Sequence, residues 1–547
     1  MTAPPQVPAG VPVLIAGGGP AGLAAALELA HHGIASLVVE PRTTVDADRP
    51  RAKTTNARTM THLRRWGIAD RLRAAAPLPV SYAQDVVFCS TLLGREVFRF
   101  TDAFQLSALR PAPHPEHGQQ VPQPVVEEVL REAVRASAAA QLLLGARVTG
   151  LGQDGDGVAV RVGTADGAMH TVRARYVLGC DGSSGVVRPA VGARYEGGSG
   201  ARPNLSVLFR APGLAERVPS GPAVQHWVLA PGAAGLVGRA DLADTWWAIL
   251  QGVDDPASVD VPAALRALVG DPRLDPEVVA TDPWTARMLL ADRYRAGRVL
   301  LVGDAAHLNP PWGGHGYNTC VGDAVNVAWK LAGVLQGWAG EDLLDSYEAE
   351  RRPVAARTIA DAAANDRFLA TAWADARLGA DGADADALRA RTAIALEAKR
   401  SEFHSLGLVL GYSYASSPVV VDDGSPLPKE DPVQYSPSAR PGCLLPHRWL
   451  RDGSSVYDRL GRGFTLLAVG DAPADPAEVV RASSPGPSGA VPLDVVRLGE
   501  QDLEPGSAPL PESWEAPLLL VRPDQHVAWR GDRLADHAPA LLRAVGR

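Results

Sequence analysis

Three clusters of glycine and acid in this 547-residue chain have the residue types and spacing to do chemistry. In the first, Gly17-Gly18-Gly19-Pro20-Ala21-Gly22 is followed by Glu40, 18 residues beyond Gly22. Gly17 permits a tight strand-to-helix turn, Gly19 lets a pyrophosphate approach the backbone, and Gly22 lets helix and strand pack closely. A helix that opens there directs its free N–H groups and the positive end of its dipole at phosphate oxygens. Glu40 stands where a carboxylate accepts hydrogen bonds from a ribose 2'-OH and repels a 2'-phosphate. The pattern predicts a dinucleotide site without separating FAD from NAD. The second cluster is Cys180-Asp181-Gly182, whose Asp-Gly pair is equally a plain turn former. The third is Gly303-Asp304, followed by Pro310-Pro311 and the glycine-rich run Gly313 to Asn318.

Each cluster has an element to position it. Val13-Leu14-Ile15 reads as a strand, Leu23 to His32 as a helix, and Leu37-Val38-Val39 as a second strand ending in Glu40. Arg175 to Gly179 and Arg298 to Val302 are further strand-like runs that end at the second and third clusters. From Asn318 onward, Val321, Ala324, Val325, Ala328, Trp329 and Leu331 form one apolar face at helical spacing. The third cluster therefore opens a second anion-receptive helix, suited to the negative charge of a reduced flavin.

Composition excludes several classes. With 53 basic against 61 acidic residues, the formal charge of -8 offers no general attraction for nucleic acid or anionic membrane. No apolar run approaches a spanning helix, and MTAPPQVPAG lacks a secretory signal, so a cytoplasmic location is expected. The cysteines Cys89, Cys180, Cys320 and Cys443 are scattered without a CxxC pair, and no metal site is expected from them or from His114, His117 and His307.

GGGPAG with Glu40, the Asp181 turn, and VGDAAHLNPPWGGHGYN from 302 to 318 together resemble the three blocks of class A FAD-dependent aromatic monooxygenases. Order and spacing agree from residue 12 to about 350, and later segments continue the match. The resemblance implies an α/β and α+β multidomain protein. Its parts are a Rossmann-like FAD-binding domain of the glutathione-reductase type (1–80, 111–195 and 285–405) and a substrate-binding antiparallel sheet (81–110 and 196–284). A linker (406–441) then leads to a thioredoxin-like C-terminal domain without CxxC (442–547). It implies that Gly17, Gly19, Pro20, Ala21, Gly22 and Glu40 bind the ADP half of FAD, with Arg42 and Arg51 nearby and Gln123 touching the flavin chain. Asp181 would serve FAD and nicotinamide, and Gly303 and Asp304 the ribityl chain. Pro311, Gly314, Gly316, Tyr317 and Asn318 would line the isoalloxazine ring. His315 and Tyr317 depart from the family's usual Gln and Met or Leu.

The activity so implied is hydroxylation of a phenolic or polyketide-type aromatic with O2 and NAD(P)H, NADPH ahead of NADH, through a flavin C4a-hydroperoxide. A homodimer or higher homo-oligomer is the implied assembly. Strand-like runs at 205–210, 224–230, 235–239 and 245–251 form the sheet over the substrate, where Gln225, Trp227 and Trp247 are pocket candidates and His226 a candidate base. Both tryptophans read equally well as sheet core, and alternation turns His226 away from Gln225 and Trp227. A halogenase is disfavoured, because Trp246-Trp247-Ala248-Ile249 has the wrong spacing for WxWxIP. A Baeyer–Villiger or epoxidising enzyme, a non-catalytic flavin-binding partner, and a flavin-free dehydrogenase are the alternatives.

Overall fold

The computed structural model describes residues 7–48, 53–107, 109–200, 203–470, 472, 490–506, 509, 514–533 and 536–547. Its first sheet grows from the run that reads as a strand in the sequence. Gly10–Ala16 lies at the centre, parallel to Ser36–Glu40 on one side and to Met169–Gly179 on the other. Ala140–Leu144 and Val299–Leu301 extend the parallel sheet outward. Val13, Leu14, Ile15, Leu37, Val38, Val177, Leu178 and Leu300 are all fully buried. Continuous rather than alternating apolar runs follow from burial on both faces. The long strand Met169–Gly179 pairs in two ways within this one sheet. Its first half closes an antiparallel meander with Val158–Thr164 and Ala146–Gln153, and its second half joins the parallel set.

Parallel strands share a direction, so their C-terminal ends lie along one edge. Ala16, Val39, Gly179 and Leu301 are in register there, and each is followed within two residues by one of the three clusters or by Glu40. The amides of Gly17, Cys180 and Val302 continue the ladder to Val39, Ala16 and Gly179 at 2.8, 2.8 and 2.9 Å. This edge is where open α/β sheets receive ligands.

A second sheet runs Glu277–Trp284, Asn204–Arg210, Thr245–Leu250, Gly235–Arg239, Gln225–Val228, Val86–Cys89 and Glu96–Phe100. The expectation of an antiparallel sheet needs one correction: Gln225–Val228 and Val86–Cys89 run parallel, because the chain leaves for the first domain between them. One face of the sheet packs on Leu265 and Leu268 of the helix Val261–Val269, and the other carries Phe88, Trp227 and Trp247 toward Trp312 and Phe403. Tyr195–Ser199, Arg287–Ala291 and His307–Leu308 form a small sheet across the expected domain boundaries.

The segment expected to be a linker is instead a packed strap. It contains the helix Leu406–Leu410, and Tyr414 and Val420 are buried with Val354 of the helix Asp345–Asp366. Beyond it, four strands lie in the order Leu493–Leu498, Phe464–Val469, Leu518–Val521 and Val527–Gly531. The first pair is parallel and the other pairings antiparallel, as expected of a thioredoxin-like unit. This sheet buries Phe464, Leu466 and Leu520 against Trp329, Trp338 and Leu343 of the first domain.

Candidate active site

The glycines of the first cluster have separate reasons to be glycine. Gly17 sits at φ +103°, and a Cβ there would meet the Cys180 carbonyl oxygen at 2.2 Å. A Cβ on Gly22 would stand 2.0 Å from the Gly17 carbonyl oxygen, so this glycine seats the helix on its own turn. A Cβ on Gly19 would meet nothing within 4 Å. The helix Pro20–His31 begins there with no side-chain cap and with proline at its start, where the missing N–H costs nothing. Open space before an uncapped helix is a cradle for a phosphate.

Glu40, although buried, is partly engaged within the protein. Its Oε2 accepts from the Gly18 amide at 2.7 Å, and its Oε1 from the Arg42 amide at 3.0 Å and Arg42 Nε at 2.7 Å. A carboxylate has about four acceptor sites, so room remains for a ribose hydroxyl. Arg42 Nη2 also lies 3.0 Å from Glu127, whose other oxygen accepts from Gln123 Nε2 at 2.8 Å. Arg51 lies outside the described residues. Arg131, unremarked in the sequence, is fully buried, its guanidinium forms no hydrogen bond among the described residues, and it comes within 3.9 Å of Glu40. An arginine on an amphipathic helix reads as solvated; only the fold turns it inward.

Asp181 and Asp304 follow neighbouring strands. Asp181 Oδ2 accepts from the Val187 amide at 2.9 Å, its buried Oδ1 has no partner among the described residues, and burial raises its pKa. Asp304 is exposed, with Cys320 Sγ 3.6 Å from its Oδ1. A Cβ on Gly303 would stand 3.0 Å from Ala21 and from Cys320, so this turn wedges between the two helix starts. Behind it lies a buried network absent from the sequence reading. Asp323 accepts from His307 Nε2 at 2.7 Å, Arg351 Nε at 2.7 Å and the Gly303 amide at 3.3 Å. Burial opposes a charged imidazole, yet Asp323 outweighs it and raises the His307 pKa. The signal for Asp323 was weak because the helix Gly316–Gln336 is buried nearly all round, so a residue off its apolar stripe is not thereby solvated.

The third cluster is clamped from a distance. Asn318 Nδ2 donates to the carbonyls of Thr54 at 3.0 Å and Gly314 at 2.7 Å, and its Oδ1 accepts from the Asn56 amide at 3.0 Å. Tyr317 OH bonds Thr55 Oγ1. These two side chains thus point into the protein, which leaves the backbone of this run for a ring. Pro311 is exposed, Gly314 sits at φ +66° with Thr54 Oγ1 where a Cβ would be, and Gly316 faces open space. His315 is buried with its Nε2 unpartnered among the described residues, and burial lowers its pKa to about 4, so this departure adds no charge near neutral pH.

A cavity of about 480 Å³ separates the first domain from the second sheet, with Lys53, Leu78, Gln120, Leu208, Arg239 and Trp247 in its wall. Trp247 thus borders this cavity. Gln225 and Trp227 are not in the wall; Trp227 is fully buried, stacked on Phe88 at 5.4 Å and tilted against Trp312 at 5.9 Å. His226 is buried outside the wall too, with Nε2 3.1 Å from Ser220 Oγ, and burial lowers its pKa to about 4. A base role for His226 finds no geometric support.

A glycine cradle at an uncapped helix, a second open helix start, and two acids on one strand edge suit a flavin dinucleotide, and known proteins agree. The FAD binding domain family matches residues 10–362, and the aromatic-ring hydroxylase C-terminal family matches residues 438–547. The chain belongs to the FAD-dependent aromatic-ring monooxygenases, and its cofactor is FAD. It is 32% identical to a 2,4-dichlorophenol 6-monooxygenase of Delftia acidovorans, with 97% of each chain covered. It is likewise 32% identical to the aklavinone 12-hydroxylase RdmE of Streptomyces purpurascens, with 98% of each covered. The flavin-dependent monooxygenase PieE, solved in complex with FAD and substrate, superposes with a TM-score of 0.88 at 32% identity over 99% of each chain. Among the described residues no helix is long and apolar enough to cross a membrane.

Proposed function

We propose that this monooxygenase hydroxylates an electron-rich aromatic small molecule, of the phenol or fused-ring polyketide type, seated in the cavity beneath Trp247. The observation that carries the reading is that cavity: Lys53 and Gln120 in its wall flank Thr54, which Asn318 ties to the ring-binding run. A substrate held there lies beside the flavin. The relatives named above act on a chlorinated phenol and on aklavinone, which supports an aromatic substrate.

In this reading Gly17, Gly19, Gly22 and the helix start at Pro20 and Ala21 receive the pyrophosphate. Glu40 and Arg42 hold the adenosine side, and Gln123 touches the flavin chain. Asp304 accepts from the ribityl chain, and the backbone from Gly314 to Asn318 faces the ring. Bound FAD supplies electron transfer from NAD(P)H, NADPH ahead of NADH, and activation of O2. The protein's own part is to seat the aromatic carbon against the ring and exclude water, a task for the apolar wall of Leu78, Leu208 and Trp247.

The test is an absorbance spectrum of the purified protein, then NADPH and NADH consumption across phenols and hydroxyquinones with product analysis under labelled O2. Consumption accelerated by one aromatic class, with one labelled oxygen in the product, is the expected result. A flavoprotein that oxidises nicotinamide at one rate with every aromatic, and hydroxylates none, refutes it.

A further inference from the structure

The chain has four lysines, and Lys53, Lys330 and Lys399 sit in the interior or on its cavity. Lys330 is 2.7 Å from Glu350 and Lys399 is 2.6 Å from Glu402. Lys53 has no such partner among the described residues. Its Nζ lies 3.9 Å from the centroid of the Trp247 ring, and both residues line the cavity. Burial alone lowers its pKa, to about 8, with no nearby charge to offset it. The other charged groups of the wall are Asp48, Glu128, Arg210, Arg239 and Asp241. Arg210 is turned to Glu277 at 2.8 Å, Arg239 bonds the Ala243 carbonyl, and none of the three acids pairs with Lys53.

Its backbone is held firmly. The Lys53 carbonyl accepts from the Val121 amide at 2.8 Å, and the next residue is the one that Asn318 ties to the ring-binding run. An ammonium without a counter-ion in a partly desolvated site is costly, and a ligand that brings the missing charge relieves the cost. In that position it also holds a phenol in its ionised form, which is the more electron-rich ring.

We propose that Lys53 is the anion-recognising residue of the substrate cavity, placing a phenolate or carboxylate oxygen of the aromatic substrate on its Nζ while the ring lies along Trp247. The proposal rests on the aromatic-hydroxylase reading and narrows its substrates to acidic aromatics.

Matched ligands test it on the holoenzyme: a hydroxynaphthoic acid, its methyl ester, and its methyl ether. Dissociation constants are read from perturbation of the flavin spectrum, without need of turnover, for the wild type, Lys53→Met, Lys53→Gln and Lys53→Arg. The expected result is weaker binding of the acidic ligand by about ten- to a hundredfold in the Met and Gln variants, the range for a lost hydrogen bond between charged groups. Lys53→Arg retains part of the binding, and FAD content is unchanged in all three. Loss of the wild-type preference on esterification identifies the carboxylate as the recognised group; loss on etherification identifies the phenolate. An acid-to-ester and acid-to-ether ratio that is the same in Lys53→Met or Lys53→Gln as in the wild type overturns the proposal while leaving the hydroxylase reading intact. A wild type that binds none of the three and hydroxylates no aromatic overturns both.

Discussion

The guanidinium of Arg522 grips the carboxylate of Glu350 side-on, Nη1 to Oε1 and Nη2 to Oε2, both at 2.8 Å. This bidentate pair joins the C-terminal domain to the helix Asp345–Asp366 with both side chains fully buried. Lys330 Nζ donates to the same carboxylate at 2.7 Å, and Asp524 balances Arg522 at 2.6 Å. The aromatic surface of Trp329 lies beside the cluster, its indole N–H 3.2 Å from Asp524. The C-terminal domain is thus fastened by charge and hydrophobic burial together.

Glu350→Ala leaves Arg522 and Lys330 without their shared carboxylate, and it is expected to lower stability by about 3–5 kcal/mol. The shift of the urea unfolding midpoint measures it. Burial raises the Glu350 pKa, but Arg522 and Lys330 outweigh it and bring the value down to about 2. Its folded pKa is below the unfolded one, so its stabilisation is present above about pH 4.5 and is lost as pH falls toward 2. The variant is expected to show a shallower loss of stability than the wild type across that window.

Gly19→Ala and Gly22→Ala are expected to fail in different ways. The added methyl at 22 collides with the Gly17 carbonyl 2.0 Å away, so the protein loses expression or melts early. At 19 the methyl enters open space, so the apoprotein unfolds at the wild-type temperature but binds FAD at least about tenfold more weakly, since only the pyrophosphate approach is obstructed. Calorimetry of the apoprotein and FAD titration separate the two.

Asp304→Ala removes an exposed carboxylate, so it is expected to remain folded and lose most bound FAD. A variant that purifies yellow, with unchanged FAD stoichiometry, removes Asp304 from the cofactor site.

Asp323→Asn acts behind that turn. With the His307 pKa raised by Asp323 against burial, the stabilising pair is complete below the ordinary imidazole value of 6.5 and is lost as pH rises through the higher folded value. Wild-type stability is expected to decline through that alkaline-going window, and the variant is expected to lose most of that decline. Urea midpoints from pH 6 to about 9 check it.

Much of this protein was legible in the sequence because its signals are local. A glycine that must adopt positive φ, as Gly17 does, or an apolar run buried on both faces, as Val13 to Ile15, is written in a few consecutive residues. The dinucleotide turn and the strand ends followed from such runs. What the chain order could not state is partnership at long range. Asn318 and Asn56 are 262 positions apart, and nothing in either neighbourhood says that one grips the other. Trp227 and Trp247 lie on the same face of one sheet, yet the first is walled in by Phe88 and Trp312 while the second borders the cavity. Lys53 reads as an ordinary basic residue until the sheet closes over it and no acid arrives. Backbone conformation is set by near neighbours in the chain, whereas desolvation and pairing are set by near neighbours in space, and these exist only once the domains have packed.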